Sequence, residues 1–196
     1  VNGNKYESLA EALAATGDGD TVTLVADVTA DVVLDKNITF DLGGHTLTNT
    51  NAGSATLTVS AGAVVTVKNG SILGGSSYYA IRNNGTATFM DIAATAGNVG
   101  SSMLDNWGTL TIESGTYTGG MNTVKNEPNA TLVITGGTFT LEKHTGSSFT
   151  GVVFNYGALS VTGGTFIQAD TTGWYPTVIL TGSEAGKAAP STSITG

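Results

Sequence analysis

The stretch of sequence that decides the fold is residues 106–117, which read NWGTLTIESGTY. Leu110 and Ile112 lie two residues apart with a Thr between them, which is the alternation of a strand with one buried face. A turn signal follows at Ser114 and Gly115, and another apolar side chain, Tyr117, comes five residues after Ile112. The stretch also opens on a turn signal, Asn-x-Gly followed by a small residue. It therefore predicts a corner, a strand, a second corner and a second strand.

This arrangement recurs along the chain in steps of 22 to 27 residues. The apolar pair is found at Phe40/Leu42, Val65/Val67, Ala87/Phe89, Leu110/Ile112, Leu132/Ile134 and Leu159/Val161. In most copies a further apolar position follows five residues later, at Leu47, Ile72, Tyr117, Phe139 and Phe166. Because one such unit cannot bury its apolar face alone, the repeats must stack on one another.

The repeat predicts an all-β fold, a parallel β-helix (a solenoid) of about seven coils that forms a single domain over residues 1–196. Residues 21–196 form the coils, and the strands of neighbouring coils should lie about 4.8 Å apart. A β-sandwich is the alternative. It needs hairpin turns and antiparallel neighbours, and the near-constant step between repeats disfavours it.

The two ends of the chain differ from the repeats and from each other. Residues 1–20 predict a short helical cap and a turn, because Tyr6, Leu9, Ala12 and Leu13 follow helical spacing. A solenoid needs such a lid, since its terminal coil has unpaired backbone groups. The sequence has no comparable segment at its other end. We therefore expect an uncapped C-terminal end that continues into further coils, another domain or a subunit.

Composition and charge exclude several classes of protein. Gly and Thr contribute 28 and 33 of the 196 residues, which disfavours helical bundles and coiled coils because both are poor helix formers. The net charge is −8 and Arg82 is the single arginine, so we expect no nucleic-acid partner. The chain has no cysteine, which excludes disulfides and thiolate-bound metals. No apolar run reaches membrane-spanning length, so we expect no membrane insertion.

The beginning of the chain resembles a known superfamily. The residues that carry the resemblance are YESLAEAL at 6–13, GDTVTL at 19–24 and ITFDLGGHTL at 38–47. They are similar to the opening of right-handed parallel β-helix domains of the pectin-lyase-like superfamily. The similarity is greatest to the non-catalytic versions in secreted surface proteins of Gram-positive gut bacteria and in virion proteins of their phages. The resemblance implies right-handed coils, three sheets per coil and an extracellular, cell-surface or virion location. By analogy with phage spikes of this fold, it also implies a trimer.

Enzymes of this superfamily that cleave acidic polysaccharides use clustered carboxylates, often with Ca²⁺, and an Arg or Lys base. Here Asp91, Asp105 and Glu113 are scattered along the coils, while His45 and His144 fall in a turn and an insertion. We therefore expect no catalytic residues, no metal and no cofactor. A group of early acidic residues could supply oxygen ligands for Ca²⁺, but Asp is also common at turns, which is the interpretation we favour. These residues are Asp18, Asp20, Asp27, Asp31, Asp35 and Asp41.

Equivalent residues of stacked coils should form columns. The Asn residues that open four of the copies should form a structural ladder, with side-chain amides hydrogen-bonded from coil to coil. They are Asn83, Asn106, Asn126 and Asn155. The residues just before three of them alternate in charge and should form an outward column that supports the coil register. They are Arg82, Asp105 and Lys125.

Aromatic side chains are the candidate contacts with a glycan or a partner protein. Trp107 and Tyr156 share one corner position two coils apart, and Trp174 and Tyr175 lie together in a loop. We expect a non-enzymatic, surface-displayed structural or adhesin-like module of a bacterial cell-surface protein or of a phage fibre, spike or capsid decoration. Its partner would be a cell-surface glycan or another surface or virion protein. The alternatives are a polysaccharide lyase or glycoside hydrolase of the same fold, or a glycan-binding module.

Overall fold

The computed structural model describes residues 1–143, 150–170 and 178–195. Within them one helix, α1, spans Leu9–Ala14, and the other regular elements are strands. In chain order the strands are β1 (Thr21–Thr23), β2 (Val28–Thr29), β3 (Val32–Leu34), β4 (Ile38–Asp41), β5 (Thr46–Thr48), β6 (Leu57–Val59), β7 (Val64–Leu73), β8 (Ile81–Asn83), β9 (Thr86–Thr95), β10 (Leu104–Asn106), β11 (Thr109–Ile112), β12 (Gly115–Thr118), β13 (Asn122–Asn126), β14 (Thr131–Ile134), β15 (Thr138–Leu141), β16 (Gly151–Asn155), β17 (Ala158–Val161), β18 (Thr165–Gln168), β19 (Ile179–Thr181) and β20 (Ser191–Ile194).

Strands of successive coils lie beside one another in three rows. Row one contains β1, β4, β11, β14, β17 and β20 with the first halves of β7 and β9. Row two contains β2, β5, β12, β15 and β18 with the second halves of β7 and β9. Row three contains β3, β6, β8, β10, β13, β16 and β19.

The predicted parallel β-solenoid is confirmed, because every pairing between these named strands is parallel. The seven strands of row three in the described residues are separated by six coil-to-coil steps. The expected three rows per coil are present. The superfamily and the handedness of the coils stay predictions.

The register of row one matches the predicted repeat except in one coil. Val67 lies beside Phe40, not beside Leu42, so the first predicted pair is wrong by two residues. The reason is a longer corner after Phe40. Leu47 follows Phe40 by seven residues, whereas Ile72 follows Val67 by five. Leu47 still pairs with Ile72, as predicted, so the extra residues are absorbed within that corner.

The core is formed by alternate side chains that point between the rows. In row one they are bulky and fully buried at Phe40, Phe89 and Ile112. In row two the rings of Tyr117, Phe139 and Phe166 form a continuous stack, with centroids 4.9 Å and 5.0 Å apart and planes within 10° of parallel. This spacing is that of adjacent strands, so each of these three coils adds one ring to the stack.

In the coil of β11 and β12, the corner between rows one and two requires a residue without a side chain. Gly115 has a φ of +111°, and a Cβ atom there would lie 2.3 Å from the backbone oxygen of Ile92. Both the backbone conformation and the close approach of the preceding coil therefore select glycine. The turn predicted at Ser114 and Gly115 has this physical basis.

The predicted N-terminal helix is present, although it is only six residues long. The Ser8 hydroxyl caps its first turn by accepting a hydrogen bond from the Glu11 amide at 3.2 Å. Leu9 and Leu13 pack against the core, while Tyr6 precedes the helix and is 39% exposed. The assignment of Tyr6 to the helical apolar face is therefore wrong, because the helix begins after it.

The coils differ in length mainly at the corner between rows two and three. This connection has three residues between β12 and β13 and nine between β15 and β16. At the other end of the stack β20 pairs with β17, and Ile194 is 61% exposed where its partner Val161 is only 4% exposed. The continuation expected beyond this coil stays a prediction.

Candidate functional site

The four ladder asparagines lie on the inner side of row three and are fully buried. The Asn83 amide donates to Asn106 Oδ1 at 2.7 Å, Asn106 to Asn126 Oδ1 at 2.7 Å, and Asn126 to Asn155 Oδ1 at 2.8 Å. The predicted ladder is therefore present over four consecutive coils. It is structural, because each amide is used within the protein.

Each ladder amide also connects its own corner to the next coil. Asn106 Nδ2 donates to the backbone oxygen of Thr131 in the next coil at 3.0 Å. Within its own corner, Asn155 Oδ1 accepts a hydrogen bond from the Gly157 amide at 3.0 Å, which closes the Asn-x-Gly turn. The repeated Asn therefore supplies hydrogen bonds to backbone groups at the corner between rows three and one.

The outer side of the same row carries a cluster of charged and aromatic side chains, here called the outer-face cluster. Arg82, Asp105 and Lys125 occupy equivalent positions on consecutive strands, as predicted, and Phe154 continues the column. Aromatic and acidic residues from the adjoining corners complete it. The members are Tyr78, Tyr79, Arg82, Asp105, Trp107, Lys125, Glu127, Phe154 and Tyr156.

Asp105 is the unexpected member of this cluster, because it is 1% exposed rather than solvated. Its Oδ2 accepts a hydrogen bond from Trp107 Nε1 at 2.7 Å. Arg82 Nε lies 3.9 Å from Oδ2, too far for a hydrogen bond. The hydrogen bonds of Arg82 run to Tyr78 Oη at 2.7 Å and Asn84 Oδ1 at 3.3 Å. The predicted surface column of alternating charge is therefore corrected to a column whose central acid is buried.

Burial raises the pKa of Asp105 to about 7. The Trp107 hydrogen bond and the charge of Lys125 act in the opposite direction, whereas Glu127 raises this pKa further. Arg82 does not offset the effect of burial, because its guanidinium is beyond hydrogen-bond distance of Asp105 and is hydrogen-bonded to Tyr78. The Asp105 carboxyl is therefore protonated far more readily than an exposed aspartate.

Lys125 and Glu127 form a close ion pair on the coil above Asp105. Burial lowers the pKa of Lys125, but the hydrogen bond and charge of Glu127 outweigh it and hold this pKa above its usual value. The ammonium also lies 5.8 Å from the centroid of the Tyr156 ring, which in turn contacts Phe154 with centroids 4.5 Å apart. Lys125 is therefore a charged group held in place by an acid and an aromatic ring.

Trp107 is the most exposed ring of the cluster, whereas Tyr78, Tyr79 and Tyr156 are each partly buried. Trp107 is 48% exposed, and the Arg82 guanidinium lies 5.6 Å from its ring centroid. Tyr156 is partly exposed. Trp107, Glu127 and Tyr156 follow the ladder asparagines on successive coils, so the two rings are about 9.6 Å apart along the axis. The other two predicted contact residues, Trp174 and Tyr175, lie outside the described residues.

Five of the six early acidic residues, all except Asp35, accept hydrogen bonds at turns and between neighbouring segments, as we favoured. Asp18 accepts from the Asn37 backbone and side chain, and Asp31 accepts from Asn49 Nδ2 at 2.9 Å and the Thr50 amide at 2.8 Å. Over residues 1–143, 150–170 and 178–195 no group of three or more His, Cys, Asp or Glu side chains is arranged to hold a metal ion.

The two histidines and an open cleft are the other candidate features of the surface. His45 Nδ1 lies 3.5 Å from Asp27 Oδ1 at a turn, and His144 lies outside the described residues. An open cleft at the corner between rows two and three is lined by small residues with Glu142 and Lys143. It contains none of the predicted contact residues, so the outer-face cluster is the candidate site.

The class of protein that this fold defines is the parallel β-solenoid. Comparison of the chain with protein-family models, curated proteins and solved structures finds no match. Among the described residues no helix has the length and apolar character needed to cross a membrane.

Proposed function

We propose that this chain is a non-enzymatic, surface-displayed structural module, adhesin-like or part of a phage fibre, spike or capsid decoration. The observation that supports it is the continuous register of the stack, in which the asparagine ladder links four coils without a break. The superfamily resemblance supports the location on a bacterial cell surface or a virion. A trimer, and a neighbour at the C-terminal end, belong to the same proposal.

The physical argument for a display role is stiffness. Successive coils are joined by backbone hydrogen bonds in three rows. Four of the coils are also linked by the ladder amides and three by stacked rings. Such a stack bends little and offers few unpaired backbone segments to a protease. A rod of this kind holds whatever its surface carries at a fixed distance from its anchor.

The location can be tested on intact cells or phage particles that carry the native protein. An antibody against this chain should label them without permeabilisation. Labelling only after the cells are opened would contradict surface display. The enzyme alternative is tested alongside, because incubation of the purified chain with a panel of acidic and neutral polysaccharides should release no cleaved product.

We propose glycan binding at the outer-face cluster as the second candidate function. It is favoured by the exposure of Trp107 and by the way Asp105 and Arg82 fix the orientation of its ring. Immobilised rings that face solvent can stack on sugar faces with little loss of side-chain entropy. Tyr156 provides a second ring on the same side of the rod, and Trp174 and Tyr175 are the further predicted contacts.

Alanine substitutions test this binding. On a panel of immobilised surface glycans, Trp107→Ala and Tyr156→Ala should each weaken retention by about tenfold. Tyr6→Ala is the matched control, because Tyr6 is a partly exposed ring outside the cluster. If Trp107→Ala, Tyr156→Ala, Trp174→Ala and Tyr175→Ala all retain glycan as well as the control, glycan binding by these rings is excluded.

A further inference from the structure

One oxygen of the outer-face cluster has no partner. Asp105 Oδ1 is buried and makes no hydrogen bond to any described donor, although Oδ2 of the same carboxyl accepts from Trp107 Nε1. A buried carboxylate oxygen without a donor is costly, because it loses its hydration and gains nothing in exchange. A protonated carboxyl changes the requirement, since its O–H needs an acceptor rather than a donor.

The acceptor is available on the next coil. The Glu127 amide donates to the Asn106 backbone oxygen at 2.8 Å, which places Glu127 directly above the corner that follows Asp105. Glu127 is itself buried, and its carboxylate is paired with Lys125. Both the charge of Glu127 and a side-chain hydrogen bond with it raise the pKa of Asp105.

Only one of the two acids, Glu127, has a cation within hydrogen-bond distance. Lys125 forms an ion pair with Glu127. Arg82 donates hydrogen bonds to Tyr78 and Asn84, and its Nε lies 3.9 Å from Asp105 Oδ2. The remaining titratable neighbour, Tyr79, is an uncharged phenol near neutral pH, because burial and Asp105 raise its pKa. Two ionised carboxylates in contact in this setting would repel each other.

We propose that Asp105 and Glu127 share one proton, with the Asp105 carboxyl as donor and the Glu127 carboxylate as acceptor. The pair is a proton-binding site built into the outer face of the rod, directly beneath the exposed Trp107 ring. It goes beyond the display and glycan-binding proposals and depends on neither of them.

The proton makes folding depend on pH in a defined direction. The pKa of Asp105 is about 7 in the folded protein against 3.8 for the free side chain. Between these values the folded state binds more protons than the unfolded state, so stability falls as pH rises through this window. Below pH 3.8 and well above pH 7 this group contributes no further dependence.

The test compares the folding equilibrium of the whole chain at pH 5 and pH 8 in the wild type and in Asp105→Asn. Asn can accept from Trp107 and donate to Glu127, so it mimics the protonated acid without titrating. Between these two pH values the equilibrium constant of the wild type should fall by up to about a hundredfold relative to Asp105→Asn. Asp91→Asn, at an exposed acid, is the matched control and should follow the wild type.

Two outcomes would overturn the shared proton. One is a difference between the wild type and Asp105→Asn that stays constant from pH 5 to pH 8. The other, which applies even if Asp105→Asn does not fold, is an infrared spectrum of the wild type at pH 6 without a protonated-carboxyl band. Glu127→Gln removes the neighbouring negative charge and should move the midpoint of that band to lower pH.

Discussion

At the scale of single residues, the ladder asparagines act both as corner residues and as links between coils. Asn106 accepts from Asn83 at 2.7 Å, donates to Asn126 at 2.7 Å and donates to Thr131 at 3.0 Å. No water reaches these groups, because the residue is fully buried. Loss of one amide therefore leaves its neighbours without partners on both sides.

Asn106→Ala should reduce the free energy of unfolding by about 2–4 kcal/mol, because several buried hydrogen-bonding groups lose a partner at once. Urea unfolding followed by circular dichroism measures the change. Asn84→Ala is the control from an adjacent corner position and should change stability by less than about 1 kcal/mol, since Asn84 is only partly buried and its side chain accepts one long hydrogen bond, from Arg82 at 3.3 Å. Equal losses in both variants would show that the ladder adds nothing specific.

The ladder could be predicted from sequence, whereas the burial of Asp105 could not. The ladder depends on one residue type that recurs at one place in each repeat, which is visible in the sequence itself. The burial of Asp105 depends on side chains from other coils, above all Trp107, Lys125 and Glu127, which cover it. A pattern of alternating charge gives no information about such cover, so the acid was expected at the surface.

At the scale of elements, α1 is too short to be stable alone and depends on its contacts. Lys36, from the segment between β3 and β4, donates to the backbone oxygens of Leu13 at 2.9 Å and Thr16 at 2.8 Å. These carbonyls lie at the C-terminal end of the helix, where a positive charge is favourable. One lysine from the first coil therefore fastens the cap to the rod.

Lys36→Met keeps the apolar stem and removes the charge, so it should destabilise the N-terminal end by about 1–2 kcal/mol. Amide hydrogen exchange in α1 and β1 should quicken, while exchange in β13 and β14 stays unchanged. Lys68→Met is the matched control, because Lys68 pairs with Asp41 at 3.5 Å near the surface and should have little effect. Unchanged exchange in α1 of the Lys36 variant would contradict the fastening role.

The length of the corner between rows one and two decides where the strand positions could be predicted from the sequence. The five-residue step from the apolar pair to the next row held in most coils, because the corner there is tight and needs Gly at Gly115. It failed at Phe40 and Leu42, where a longer corner gives two equally plausible alignments of apolar residues. The pairing of β4 with β7 in the next coil distinguishes the two alignments, and this pairing is visible only in the three-dimensional structure.

At the scale of the whole molecule, the repeat determines the architecture but leaves the function open. Periodic apolar positions and recurring corners are sufficient to predict stacked coils, because stacking is the one way such units bury their apolar faces. The surface positions follow no such rule, since any polar side chain serves outside the core. The proposed display role and glycan site therefore depend on particular side chains, of which Trp107 and Asp105 can be tested most directly.

The unequal connections between rows two and three have a consequence for engineering and for evolution. The three-residue link after β12 and the nine-residue link after β15 leave the neighbouring strands paired in register. Foreign peptides inserted at this corner should therefore be displayed on the side of the solenoid without changing the strand pairing. In evolution, insertions and deletions at the same corner can change its length while the register of the neighbouring strands is kept.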